Sequence, residues 1–142
     1  MGLKAKSNFI QSVDRALQIL EVFSEKRKEL GVTEIANILD IHKSTVFGLL
    51  ATLENRGYLE QNPESGKYRL GLKLFELGNL VQAGMDLRET AVPVISRLVE
   101  EYRETVHLVI CEKGEVVYID KKESDDSAFR ILSYVGRRLP MY

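Results

Sequence analysis

The chain has 142 residues, of which 44% are hydrophobic and 29% charged, a composition typical of a globular protein rather than a disordered one. The formal net charge of −1 shows no basic excess, so bulk charge neither indicates nor excludes a nucleic-acid partner. One cysteine excludes an internal disulfide, and no apolar run reaches the roughly 20 residues that span a bilayer, so we expect a cytoplasmic protein with no membrane partner.

The N-terminal part of the chain predicts a helix that follows a short arm. Residues 1–9 are expected to form a flexible arm, and Ser12 to cap the first helix. This helix should end in the charged stretch 24–30, which we interpret as a solvated turn. Apolar residues recur on one of its faces and are expected in the core: Val13, Ala16, Leu17, Leu20 and Phe23.

Two further helices are predicted, separated by a turn at residues 40–42. Thr33 should cap a helix from Glu34 to Leu39, and the third helix should run from Lys43 to about Arg56, ended by Gly57. The inward residues of the second helix should be Ile35, Ile38 and Leu39. Those of the third helix are spaced i, i+3, i+4 and i+7, which predicts one buried stripe: Val46, Leu49, Leu50 and Leu53.

A β-hairpin is predicted next, with strands at 58–61 and 67–70 around the turn-forming residues 62–66. Three helices followed by a hairpin are typical of a winged helix-turn-helix domain, here residues 10–70. In such a domain the second helix of the motif enters the major groove of DNA, N-terminal end first. A protein-docking module with the same elements is the alternative interpretation.

The predicted DNA contacts follow from this geometry. Lys43 offers its charge to a phosphate or a guanine edge, while Ser44 and Thr45 can donate to phosphate, one of them also capping the helix. Thr33 and Ser12 start two other helices, whose N-terminal ends attract phosphate. The complete predicted set is Ser12, Arg15, Thr33, Lys43, Ser44, Thr45, Phe47, Gly48, Thr52, Lys67, Tyr68 and Arg69.

Residues 71–84 predict a linker helix that carries more apolar side chains than one stripe can bury. We interpret the excess as a surface for a partner chain, and a tightly packed local helix is the alternative. The residues predicted to dimerise are Leu72, Phe75, Leu77, Leu80 and Val81.

Residues 85–142 predict a second unit, which looks incomplete because its elements offer a poor core. A helix from Asp86 should contain Pro93 at a kink or restart, and a hairpin should pair 106–111 with 116–120. Residues 129–135 are a possible third strand. His107 and Cys111, four apart on one strand, lack a third group to orient them, so no enzyme, metal site or cofactor is expected.

Several ordered motifs resemble the isocitrate lyase regulator (IclR) family of bacterial transcription factors. They are Ser12–Phe23, Glu34–Ala36, Lys43–Leu59 and Gly66–Gly78, with looser similarity at Leu87–Leu98 and Glu115–Ser124. The resemblance implies a dimer, often a dimer of dimers, that binds a palindromic operator on the nucleoid. It also implies an α+β fold with a GAF-like C-terminal domain for a small-molecule effector, and most often repression.

The sequence departs from the family pattern in two places. Ile41 and His42 replace Leu-Pro before the third helix, and Phe47 and Gly48 replace a His or Tyr and an Arg. This chain therefore has no Arg to touch DNA at that position, whereas Phe47 can meet a thymine methyl group. The chain also stops at 136–142, where a Gly-Arg-x-x-Pro motif should lead into the effector pocket. A fragment and a truncated product both fit this ending, and a truncated regulator that heterodimerises with an intact relative, without binding operator, is the alternative function.

Overall fold

The computed structural model describes residues 9–125 and 133–141 of the chain, which divides into two compact units between Asn79 and Leu80. The first unit contains three helices and a hairpin, followed by the start of a fourth helix. Its elements are α1 (Gln11–Glu21), α2 (Val32–Leu39), α3 (Lys43–Asn55), β1 (Leu59–Gln61), β2 (Tyr68–Leu70) and α4 (Leu72–Ala83). The second unit contains α5 (Asp86–Tyr102), β3 (Val106–Glu112), β4 (Glu115–Lys122) and β5 (Arg138–Pro140). The predicted mixed fold with an N-terminal winged helix-turn-helix is confirmed.

The core of the first unit draws one or two side chains from each of α1, α2, α3, β1 and β2. The largest fully buried ones are Ile19, Ile35, Val46, Leu50 and Leu59. The hairpin is antiparallel, with Leu59 opposite Leu70. It is also tied to the segment before α2, because Leu30 and Tyr68 exchange backbone hydrogen bonds of 2.9 and 2.8 Å.

The predicted capping residues are wrong for all three helices. Ser12 and Thr33 are the second residues of α1 and α2, and the N-cap positions are Ile10 and Gly31. At α2 the carboxylate of Glu34 accepts a hydrogen bond of 2.7 Å from the Gly31 N–H, which is the backbone donor of the N-cap residue itself, and the N-cap residue has no side chain to accept from the first N–H groups of the helix. Helix α3 begins at Lys43 as predicted, but its N-cap is His42, and no side chain caps it.

The predicted core face of α1 is only partly right. Val13 and Leu17 are exposed, by 54% and 53%, whereas Ile19 is fully buried. The apolar residues of this helix form one face, with Ile19 at one edge and Leu17 at the other, and the core covers only the edge that carries Ile19. Likewise Ile38 of α2 is 43% exposed, and Ala36 is buried instead.

The second unit packs one helix on an antiparallel sheet of order β3-β4-β5. Its buried apolar residues, within the described part, are Ile95, Val99 and Ile119. Helix α5 continues through Pro93. Most of the predicted third strand lies in residues 126–132, outside the described residues; 133–135 are not a strand, and Arg138–Pro140 pairs with β4 instead.

The junction between the hairpin and α4 leaves no room for a side chain. A Cβ atom at Gly71 would lie 2.3 Å from the carbonyl oxygen of Gly57. The Gly71 N–H donates to the Tyr58 carbonyl at 2.8 Å, and the Lys73 N–H donates to the Gly57 carbonyl at 3.2 Å. These hydrogen bonds hold the two backbone segments together. A side chain at residue 71 could therefore be accommodated only if the segments moved apart and the hydrogen bonds broke.

We expect Gly71→Ala to destabilise the first unit by about 1–3 kcal/mol, as overpacking typically does, because the new methyl group meets backbone. Gly78→Ala is the matched control, since a Cβ atom there meets nothing within 4 Å. It should stabilise α4 by at most about 1 kcal/mol. Urea unfolding followed by helical circular dichroism measures both; equal midpoints for Gly71→Ala and wild type would contradict the clash.

Candidate nucleic-acid interface

Helix α3 has one face in the core and the opposite face in solvent. Val46 and Leu50 are fully buried, and Leu49 and Leu53 pack partly buried against the same core, so the predicted stripe is confirmed. This stripe fixes the rotation of the helix. As a result the residues turned outward include Lys43, Ser44, Phe47, Gly48, Ala51 and Thr52, whereas Thr45 is half-buried.

The centre of the outward face is short of hydrogen-bonding side chains. We call Ser44, Phe47, Gly48 and Ala51 the readout patch, because their i, i+3, i+4, i+7 spacing makes them neighbours. The Phe47 ring is 60% exposed. Beside the patch, the Thr52 hydroxyl donates 2.9 Å to the Gly48 carbonyl, so its proton is already engaged.

The wing differs from its prediction at one of three residues. Tyr68 is only 3% exposed and belongs to the core, so its ring does not face a DNA groove. Lys67 and Arg69 do reach the surface, but each is paired with a carboxylate. Lys67 Nζ lies 3.1 Å from Glu34, and the Arg69 guanidinium donates twice to Glu60, at 3.0 and 3.1 Å.

The remaining predicted contacts lie in the first two helices. Ser12 and Thr33 are exposed in the first turns of α1 and α2, and Arg15 is half-buried on α1. The first backbone N–H groups of a helix lack intrahelical acceptors, so a hydroxyl in the first turn adds a donor to a region that already favours phosphate. Their role in binding stays a prediction.

Helix α4 has no buried residue. The residues predicted to dimerise, which we call the α4 apolar set, are all exposed: Leu72, Phe75, Leu77, Leu80 and Val81. Among the described residues these side chains find no cover, which disfavours the alternative of a tightly packed local helix.

The second unit contains a cleft of about 230 Å³ between α5 and β4. Its polar groups contact one another: Arg88 Nε lies 3.0 Å from an Asp120 oxygen without forming a well-directed hydrogen bond, and Lys122 donates to the Ser96 hydroxyl at 2.8 Å. Among the described residues no group of three His, Cys, Asp or Glu side chains is placed to hold a metal ion.

His107 and Cys111 do not form a site. A β-bulge between Leu108 and Val109 interrupts the alternation that was expected to put them on one face. His107 lies 2.6 Å from the Ser133 hydroxyl and edge-on to Tyr118, and burial lowers the pKa of its imidazole. Cys111 is exposed.

Comparisons with known proteins identify both units. Residues 12–63 match the IclR helix-turn-helix domain, and residues 80–142 match the bacterial transcriptional regulator IclR C-terminal domain. The HTH-type transcriptional regulator XynR of Escherichia coli is 46% identical over 94% of this chain and 52% of its own length. The E. coli regulator KdgR is 37% identical over 99% of this chain and 52% of its own length.

A solved structure shows the same fold. The crystal structure of an IclR family transcriptional regulator from Brucella abortus superposes with a TM-score of 0.81 at 28% identity, over 99% of this chain and 53% of that one. The chain thus spans about half the length of the relatives it matches. These relatives are named as transcriptional regulators, which confirms that the chain is not an enzyme. No described helix is long and apolar enough to cross a membrane.

The Glu34 carboxylate links the wing to the start of α2, and this link should depend on pH. The hydrogen bond from the Gly31 N–H, then that from Lys67, lower the pKa of Glu34 from its ordinary value of 4.5. A carboxyl with a lowered folded-state pKa stabilises the fold above its unfolded pKa, and this contribution disappears as the pH falls through the folded value.

We therefore expect Glu34→Gln to lower the urea midpoint at neutral pH, with the difference from wild type shrinking as the pH falls below 4.5. Glu64→Gln removes a carboxylate from the turn of the same hairpin and serves as control. A difference that persists unchanged in acid would show that the carboxylate charge of Glu34 is not what stabilises the link.

Proposed function

The chain belongs to the IclR family of bacterial transcriptional regulators, and on this premise we propose that it binds double-stranded DNA and regulates transcription. The observation that carries the proposal is the orientation of α3. Its buried stripe holds the helix to the domain, and its first two turns present Lys43, Ser44 and Phe47 to solvent. The N-terminal end of this helix is the part that meets base edges in a helix-turn-helix domain.

The phosphate contacts in this proposal come from Lys43 and from the first turns of three helices. Ser12 and Thr33 contribute hydroxyls beside unpaired backbone donors. Lys67 and Arg69 contribute less than their charge indicates, since a phosphate has to compete with Glu34 and Glu60 for them. Exposed ion pairs of this kind are weak, at about 0–1 kcal/mol, so DNA can still displace them.

The proposed active form is a dimer assembled through the α4 apolar set. Phe75 is 66% exposed and Leu80 70% exposed, and an apolar surface of this kind is normally covered by a partner. A symmetric dimer places two copies of α3 on DNA, so the proposed operator is a palindrome with half-sites about 34–36 Å apart or a multiple of it. The family resemblance further implies that two such dimers associate into a dimer of dimers.

The proposed sign of regulation is repression, in the cytoplasm and on the nucleoid, under control of a small organic effector. The support for effector control is the match of residues 80–142 to the C-terminal domain of the family, whereas repression is what the family resemblance implies. Effector control is a property proposed for the whole regulator, because the chain spans about half the length of its relatives. No described residue is assigned to the effector.

Replacing Lys43 by Ala should weaken DNA binding and make its salt dependence shallower, by about 0.9 in the log–log slope for each phosphate that the variant no longer neutralises. Binding to a duplex selected from random sequence, measured at several salt concentrations, tests this. Arg97→Ala removes an exposed cation of α5 and is the charge-matched control. If the two variants gave equal slopes, Lys43 would not contact phosphate.

Replacing Phe75 by Ser should convert the dimer to a monomer, because it removes the largest side chain of the α4 apolar set. Phe47→Ser is the matched control, since this ring is similarly exposed, at 60% against 66%, but lies on α3. Light scattering after size exclusion measures the mass. A dimer that survives Phe75→Ser would place the interface elsewhere.

The same variants separate the proposed function from the heterodimer alternative. If the chain acts by pairing with an intact relative, Phe75→Ser abolishes that pairing and Lys43→Ala leaves it unchanged. In that case the chain alone selects no operator. If it is itself an operator-binding regulator, Lys43→Ala weakens binding in the absence of any relative.

A further inference from the structure

The readout patch is apolar at the place where a recognition helix usually carries hydrogen-bonding side chains. Its centre and C-terminal side consist of Phe47, Gly48 and Ala51, and Ser44 at the N-terminal edge is its one polar member. Guanine, adenine and cytosine are read in the major groove mainly through hydrogen bonds. Thymine also presents a 5-methyl group, which apolar side chains such as Phe and Ala contact.

Gly48 has no structural reason to be a glycine. A Cβ atom built on it meets nothing within 4 Å, and its φ angle is not in the positive region that favours glycine. Glycine is also the poorest helix former apart from proline, so the middle of α3 is weakened by it. What glycine offers here is close approach of the helix backbone to a ligand on the exposed side.

The position of Phe47 supports a contact in the groove rather than in the fold. Its ring lies one turn after Lys43, and Ala51 follows one turn later on the same side. Phe47 and Ala51 are about 6 Å apart along the helix axis, which is close to two base-pair steps of about 3.4 Å. Two methyl groups within about two base pairs are therefore within reach of one helix.

We propose that the readout patch recognises the 5-methyl groups of thymines in each operator half-site. Phe47 covers one methyl group, Ala51 contacts a second, and the absence of a side chain at Gly48 lets α3 lie deep enough for both. This inference rests on the proposed function, because it names the bases that α3 reads. It assigns specificity to apolar contact where hydrogen bonds are the commoner means.

The test is a methyl deletion on the DNA. Deoxyuridine keeps the base pairing of thymine and lacks only its 5-methyl group, so each thymine of a selected duplex is replaced in turn. Wild type should lose about fourfold in affinity at each contacted thymine, the equivalent of one buried methyl group. Phe47→Ala should bind the thymine and uracil duplexes equally at one of those positions.

Two control variants make the result specific. Lys43→Ala should weaken binding to every duplex and keep the thymine-to-uracil ratio of wild type. Gly48→Ala should unfold at a higher temperature than wild type and yet bind DNA more weakly. If the glycine served only the fold, the substitution would not raise stability while it lowers affinity. Phe47 is exposed, so Phe47→Ala should retain the wild-type circular dichroism and unfolding midpoint.

The outcomes distinguish this inference from the proposed function. Equal binding of thymine and uracil duplexes by wild type would overturn the inference and leave DNA binding intact. The inference would also be overturned if Phe47→Ala lost as much affinity as wild type on every replacement of thymine by uracil. The thymine methyl groups would then be contacted by residues other than Phe47. If wild type selects no duplex at all, the proposed function fails first.

Discussion

The packing of α3 against the first unit's core is the constraint on which the candidate interface depends. Val46 and Leu50 are fully buried beside Ile19 of α1, Ile35 of α2 and Leu59 of β1. A shift of one residue along this stripe would turn α3 by about 100° and take Phe47 from solvent into the core. The apolar stripe therefore determines which side chains α3 presents to solvent, and so which of them the proposed complex places on DNA.

Electrostatics complements this packing without supplying a basic surface. Each wing cation is held by a carboxylate, and Glu34 also accepts from the Gly31 backbone. Such pairs orient the wing against α2 but reduce the attraction of the wing for phosphate. The net charge of −1 agrees with this arrangement. In the proposed complex, helix N-termini and Lys43 therefore supply more of the affinity for DNA than the wing does, and selectivity comes from contacts that do not need charge.

The sequence was most informative where one side of an element is plainly apolar. The stripe of α3 and the Asn-Pro-Glu-Ser-Gly turn of the hairpin were predicted from spacing and turn residues alone. Helix α1 was only partly predicted, because the core covers one edge of its apolar face, and only the tertiary packing selects Ile19 over Val13. Tyr68 was misjudged for a similar reason, since a strand of three residues has too short an alternation to show which side chain turns inward.

The capping errors have a different origin. Ser12 and Thr33 are good N-cap residue types, but Ile10 and Gly31 occupy the N-cap positions and neither caps its helix through a side chain; at α2, Glu34 instead accepts from the Gly31 N–H. Local preference is therefore overridden by an interaction that also holds Lys67, a partner more than thirty residues away in sequence. A single chain offers no sign of such a pair until the hairpin is folded onto α2.

In the proposed dimer, operator choice is divided between two surfaces with different roles. The α4 apolar set, which we propose is covered by a second copy, would fix the distance and the symmetry between two recognition helices, and so the spacing of half-sites. The proposed role of the readout patch is to select the bases within each half-site. Because the two surfaces share no residue, substitutions in one should leave the other's contribution unchanged, as is usual for sites without common partners. New operator sequences can then arise through Phe47, Gly48 and Ala51 while the spacing of half-sites stays the same.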